Sequence, residues 1–214
     1  MNTKLKISYA ITVCNEDVEL ENLINHITPL KRSEDEIVIV YDQNRVTDKV
    51  HQVLTKYKDQ AKSYPFDFKQ NFLENKNYLG TKCTGNYIFQ IDADEIPHKY
   101  LIESLAPILM ENAEIDVFVL PRVNLVEGLT DKHIQQWKWN VNDKGWVNWP
   151  DQQKRVYKNS AAIQWSGHKV HGMVAGYKTI TQLPIAEEFA IYHNKQVQRQ
   201  EQQNDRYDRI ENQS

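Results

Sequence analysis

The stretch NYIFQIDADEIPHKY, residues 86–100, decides how this chain is read. Tyr87, Ile88, Phe89 and Ile91 form an apolar run of strand length, and the run stops in Asp92, Asp94 and Glu95. Like charges this close repel one another, and burying them unpaired is costly. Two readings are open. In one, the acids are solvated at a strand-to-helix turn and Pro97 opens the next helix. In the other, a divalent cation, which prefers carboxylate oxygens, removes the repulsion. Asp-Ala-Asp alone favours the first reading, and the rest of the chain has to decide.

The elements before this stretch alternate. KISYAITV, residues 6–13, is rich in β-branched and aromatic residues and predicts a strand. Over 17–28, Val18, Leu20, Leu23, Ile24 and Ile27 recur at helical spacing. EIVIVY, 36–41, is a nearly continuous apolar run, as in a strand buried on both faces. An amphipathic helix follows over 48–60 and a short strand over 64–68. A helix is predicted over 74–85, with Gly85 as its C-cap. After the acids come a helix over about 98–111 and a strand at 115–121. Strands alternating with helices predict an α/β fold with a mostly parallel sheet and helices on both faces. Ligands of such sheets bind beyond the carboxyl ends of the strands. Cys14-Asn15-Glu16, Asp42-Gln43-Asn44 and Asp92-Ala93-Asp94 all fall at those ends.

Length and composition set the frame. The chain has 214 residues, enough for one α/β domain with a full core, and a hydrophobic fraction of 40%. Its mean hydropathy of -0.68 fits a soluble protein. No window approaches the roughly 18 apolar residues that cross a bilayer, so no transmembrane segment is expected. The first apolar run is short and ends in Asn15, Glu16 and Asp17, which reads as a strand rather than a signal peptide. Cys14 and Cys83 show no metal spacing, and a reduced, cytoplasmic setting is expected. A net charge of -3 gives no bulk drive toward nucleic acid or anionic membrane.

The texture changes after residue 121. Trp137, Trp139, Trp146, Trp149 and Trp165 are the only tryptophans, and His168 and His171 cluster near the last of them. KRVYKN and AAIQW look like short strands, and the tail from Asn194 is strongly polar, either a surface helix or a partly frayed end. The chain thus divides into residues 1–121 and 122–214 within one continuous domain.

Taken in order, ITVCNE, IVIVYDQN, NKNYLGTKCTGNYIFQIDADE, WVNWPDQQKRVYKN and WSGHKVHGMV resemble glycosyltransferase family 2 with the GT-A (Rossmann-like) fold. PDQQKR and KVH resemble in particular its bacterial lipopolysaccharide-type β-glycosyltransferases. The matches cover about residues 6–195. The resemblance implies a metal-dependent inverting transferase that moves a sugar from a nucleotide diphosphate sugar, commonly UDP-linked, to an acceptor hydroxyl. Residues 1–121 become the nucleotide-sugar half and 122–214 the smaller acceptor-side half. The cation is manganese or magnesium, stabilising charge that grows on the departing diphosphate. By the same resemblance Asp94 binds the metal, and Asp92 lies near the ribose or a metal-bound water. His193 is a late histidine of the kind that joins the metal. Thr12, Cys14, Glu16 and Asp42 belong to the nucleotide pocket, Asp42 accepting a hydrogen bond from the base. Lys76 faces the diphosphate, and Gln153 and Arg155 complete the second motif. An inverting transfer needs a general base. Many relatives carry Val-His-Glu where this chain has Val170-His171-Gly172, so the usual glutamate is missing. Asp151 is the best remaining carboxylate, and His171 is the other candidate base.

Bland readings stand beside these. Asp42 also suits a turn, Glu16 a helix N-terminus, Lys76 an exposed surface and each lone histidine a structural role. Two rival functions are weighed. A nucleotidyltransferase also pairs carboxylates with a metal, but AITVCNEDVE lacks the Gly-rich phosphate loop it needs near the N-terminus. A non-catalytic nucleotide-sugar or glycan-binding module is suggested by Gly172.

Overall fold

The computed structural model describes residues 4–168, 172–202 and 204. Strand β1 (Ile7–Val13) leads into α1 (Asp17–Ile27), then β2 (Glu36–Asp42), α2 (Asp48–Lys56), β3 (Ala61–Phe66) and α3 (Phe72–Lys82). Strand β4 (Tyr87–Asp92) carries the opening stretch. It is followed by a three-residue strand β5 (Glu95–Pro97), then α4 (Lys99–Glu111), β6 (Val117–Glu127) and α5 (Asp131–Trp137). The rest is β7 (Val147–Lys158), β8 (Gln164–Ser166), β9 (Met173–Ala175), β10 (Ile180–Gln182) and β11 (Ile191–Gln196). Residues 197–202 are helical.

Among the described residues the main sheet runs β3-β2-β1-β4-β7-β6-β11-β5, with β10 also on β6. The first four strands are parallel; the apolar runs of the inner three, β2, β1 and β4, fit burial on both faces, while the edge strand β3 is largely polar and exposed. β7 then inserts antiparallel to both β4 and β6, while β11 lies parallel to β6, so the sheet is mixed beyond β4. Period-two alternation sorts β1: Ile7, Tyr9 and Ile11 meet the core under α1, α2 and α4, and Ala10 meets the core under α3. The β8–β9 hairpin packs on this second face through Ile163 and Val174.

Four local expectations are corrected. Pro97 does not open a helix: Glu95–Pro97 pairs with β11, and α4 starts after His98, whose Nδ1 accepts from the Tyr100 N–H. Gly85 is not a C-cap, because α3 ends at Lys82 with Cys83 as its cap. Gly85 instead crosses β1 so closely that a Cβ there would lie 2.7 Å from the Ser8 nitrogen. The predicted helix over 48–60 ends at Lys56, and the strand at 115–121 runs on to Glu127.

Candidate active site

A cleft of about 940 Å³ opens beyond the carboxyl ends of β1, β2 and β4, within the size range of small-molecule sites. Thr12, Cys14, Glu16, Asp42, Lys76, Asp92, Asp94, Asp151, Gln153, Arg155 and His193 all line it. The sequence-predicted residues therefore converge, apart from His171, which lies outside the described residues.

The floor is an ionic network. Thr12 Oγ1 donates to Asp92 Oδ1 at 2.9 Å, across the β1–β4 register pair. Arg155 Nη2 donates to Asp92 Oδ2 at 3.1 Å, and Lys76 Nζ stands 3.9 Å from Oδ1. Burial favours the neutral acid at Asp92, but the charges of Lys76 and Arg155 and the two hydrogen bonds outweigh it and hold the carboxyl well below its usual range. Arg155 reaches this point because β7 carries an extra residue there: Phe118 pairs with Val156 and Val119 with Lys154. Such a bulge re-aims one side chain.

Glu95 is fully buried, and none of the acids is left unpaired. Glu95 Oε2 accepts from the Asp92 backbone N–H at 3.0 Å, and Oε1 accepts from Arg155 Nη2 at 2.7 Å and Arg122 Nη1 at 2.9 Å. Asp94 Oδ2 lies 3.4 Å from His193 Nε2 and 3.8 Å from Arg199 Nη2. Burial raises the Asp94 pKa, but the His193 hydrogen bond together with the charges of His193 and Arg199 brings it below the ordinary aspartate value. β11 sets that meeting, because His193 pairs with Glu95 on one side and Asn124 on the other. The other ring nitrogen of His193, Nδ1, lies 3.1 Å from Asn124 Oδ1.

Asp151 sits opposite Arg122 across β6 and β7. Arg122 Nε and Nη2 donate to its Oδ2 at 2.8 and 2.6 Å, Asn124 Nδ2 to the same oxygen at 2.9 Å, and Gln153 Nε2 to Oδ1 at 2.7 Å. Burial pushes its pKa up, but Arg122 and these amides pull it below the ordinary aspartate value. Asp42 is 5% exposed, with Oδ1 accepting from the Asn44 N–H at 3.1 Å. Glu16 Oε2 accepts from the Cys14 and Asn15 N–H groups, and Oε1 meets Arg199 Nη2 at 2.6 Å. Lys76 Nζ lies 4.0 Å from the Trp165 ring centre, and burial lowers its pKa. Its neighbour Asn77 turns the other way, bonding the Trp165 backbone N–H and carbonyl at 2.8 and 2.9 Å.

Among the described residues no group of three or more His, Cys, Asp or Glu is arranged to hold a metal. The arrangement at Asp94 and His193 offers two donors. That fits a manganese or magnesium ion that takes its remaining ligands from substrate phosphates and water, not one caged by protein alone. Gly172 is packed against α3: a Cβ there would fall 1.9 Å from Leu73 Cδ2. A glutamate at this position has no room unless Leu73 moves. Sequence reasoning missed Arg122, Asn124 and Arg199. Their types were visible, but the strand pairing that aims them was not.

A mixed sheet of this order with acids at the carboxyl end of its fourth strand defines a GT-A type α/β protein. The chain belongs to the family described as "Glycosyl transferase family 2", whose pattern matches residues 8–180. Among solved structures it is similar to residues 1–349 of TarS from S. aureus, with a TM-score of 0.62 at 15% identity over 89% of this chain and 60% of that one. It is also similar to TarS 1–349 in complex with UDP, at a TM-score of 0.63 and 15% identity over the same shares. The complex of TarS 1–349 with UDP-GlcNAc gives 0.63 at 14% identity, covering 89% and 59%. At these identities the likeness is one of fold. The chain spans about 60% of the length of the first two. No curated protein matches it in sequence. No helix among the described residues is long and apolar enough to cross a membrane.

Proposed function

We propose that this protein is a divalent-cation-dependent, inverting glycosyltransferase that takes a sugar from a UDP-linked donor and places it on an acceptor hydroxyl. The observation that carries this reading is the convergence of Asp94, His193 and Asp151, from three distant segments, on one cleft at the carboxyl ends of parallel strands. Asp42 and Thr12 lie toward the carboxyl ends of β2 and β1 in the assigned nucleotide pocket, Asp42 facing the base, with Asp92 beside Thr12 toward the ribose or a metal-bound water. Asp94 and His193 would hold the cation, which supplies positive charge to the departing diphosphate. Lys76, poised between Trp165 and Asp92, adds a fixed charge on the same side. Asp151 is assigned as the base. Arg122, Asn124 and Gln153 fix its orientation and keep it ionised, ready to accept the acceptor proton as the sugar carbon is attacked.

The test is metal-dependent binding followed by turnover. UDP should bind the wild-type chain much more tightly with manganese than with EDTA, and Asp94→Ala should remove that difference together with transfer. Full activity of Asp94→Ala in EDTA would sink the cation assignment. Tight, metal-dependent UDP binding without release of UDP from any UDP-sugar would favour the binding-module reading, to which the closely packed Gly172 gives some support.

A further inference from the structure

Glu95 joins the two sides of the cleft. Its Oε1 receives both Arg155 Nη2 and Arg122 Nη1. The same Arg155 nitrogen also bonds Asp92, while Arg122 turns two further nitrogens to Asp151. The result is a continuous chain, Asp92–Arg155–Glu95–Arg122–Asp151, across the floor from the donor side to the acceptor side. We infer that Glu95 is a positioning residue for sugar transfer, fixing Asp151 relative to Asp92 through the two arginines. The inference rests on the transferase reading above.

The chemistry requires a charged acceptor at this point. Two guanidinium groups converge on one buried oxygen, and removing the counter-charge between them leaves like charges facing each other at low dielectric. A glutamine keeps the shape but brings an NH₂ donor toward groups that are themselves donors. The arginines then separate, Arg122 toward Asp151 and Arg155 toward Asp92, and the two carboxylates lose their common reference. An aspartate keeps the charge but is one methylene short. Displacements of about 1 Å can cost roughly a hundredfold in rate.

The test uses the full chain with UDP-N-acetylglucosamine and UDP-glucose as donor probes, water as acceptor and released UDP as the readout. Calorimetry with UDP and manganese gives affinity and the fraction of binding-competent molecules. Glu95→Gln is expected to lower UDP release per competent molecule by about tenfold to a hundredfold, with the UDP dissociation constant within about threefold of wild type. Glu95→Asp should recover part of the rate. If the loss in Glu95→Gln merely follows the fraction of competent molecules, the role is structural and the inference fails. It fails equally if Glu95→Asp is no better than Glu95→Gln. Should Glu95→Gln not fold, Glu95→Asp must by itself show the split between rate and affinity, and its absence overturns the inference. Wild-type turnover matched by the variants overturns the inference alone. A wild-type chain without turnover on any UDP-sugar overturns the transferase reading and this inference with it.

Discussion

Asp42, Asp94 and Asp151 are three carboxylates on one cleft, and their partners give them different work. Asp42 spends one oxygen on its own turn, accepting from the Asn44 N–H, and the proposed base contact falls to what remains. Asp42→Ala should weaken UDP binding by at least about tenfold, since a hydrogen bond to a charged group is worth roughly 1.5–3 kcal/mol. Manganese dependence should survive; an unchanged UDP affinity by calorimetry would reduce Asp42 to a turn residue. Asp151 is held by four hydrogen bonds from three side chains, and its pKa is lowered. Asp151→Asn should cut turnover by about 10²–10⁴-fold while UDP affinity stays near wild type. The pH–rate profile separates the two candidate bases. A base whose pKa lies below the ordinary aspartate value stays ionised as pH falls, so with manganese saturating at every pH, which keeps His193 on the metal, turnover should be flat from neutrality down to about pH 5. An acid limb near the ordinary histidine value of about 6.5 would pass the role to His171. Asp42 and Asp94 were legible because carboxylates after apolar strands are conspicuous, and Asp151 because it stands in the PDQQKR motif. Their partners were not: Arg122 sits 29 residues from Asp151, and only the β6–β7 register joins them.

At the scale of elements, alternation of strands and helices was readable, and so were the ends that carry the site. What escaped was irregular. The extra residue in β7 that aims Arg155 inward has no signature in KRVYKN. The pairing of Glu95–Pro97 with β11 hides behind a proline that resembles a helix start. The polar tail reads as a surface helix or a frayed end; its residues 197–202 are helical, and what escaped is that they bring Arg199 to Glu16 and Glu19 at 2.6 and 3.0 Å. Gly85 shows the same difficulty. A glycine after a helix suggests a cap, whereas here it lets the chain entering β4 press against β1, with the Ser8 nitrogen, Ser8 Oγ and the Lys6 carbonyl all within 2.9 Å of a built Cβ. Two of those atoms are backbone, one in β1 and one just before it, and cannot rotate away. Gly85→Ala should therefore cost about 1–3 kcal/mol, as overpacked sites do, and lower the melting temperature by roughly 2–4 °C per kcal/mol for a chain of this size. A variant melting with wild type would show that β1 and β4 separate freely at this end.

The whole molecule keeps its putting-together and its chemistry at opposite ends of the same strands. The carboxyl ends of β1, β2 and β4 open on the cleft, while Glu36, at the start of β2, ties their other ends together. Its oxygens accept from Lys6 Nζ at 2.9 Å, Ser8 Oγ at 2.7 Å and both the N–H and the hydroxyl of Thr84, at 2.7 and 2.8 Å. Burial raises the Glu36 pKa, but the Thr84 N–H, Lys6, Ser8 and the Thr84 hydroxyl together pull it down from 4.5 to about 2. A depressed folded-state pKa means that the unfolded chain binds the proton first, so stability rises with pH through this window. The contribution is complete above the unfolded value of 4.5 and is lost as pH falls toward about 2. Glu36→Gln should destabilise the protein by about 1–3 kcal/mol at neutral pH, the cost of stripping a charged acceptor from several buried donors. UDP affinity should be untouched, because the site lies at the far end of the sheet. Urea unfolding of both proteins at pH 6 and pH 3 checks the linkage. The gap between them should narrow at pH 3, where wild-type Glu36 has begun to lose its advantage. A gap of constant size would mean that Glu36 acts through shape and packing, with its charge playing no part in holding the strands together.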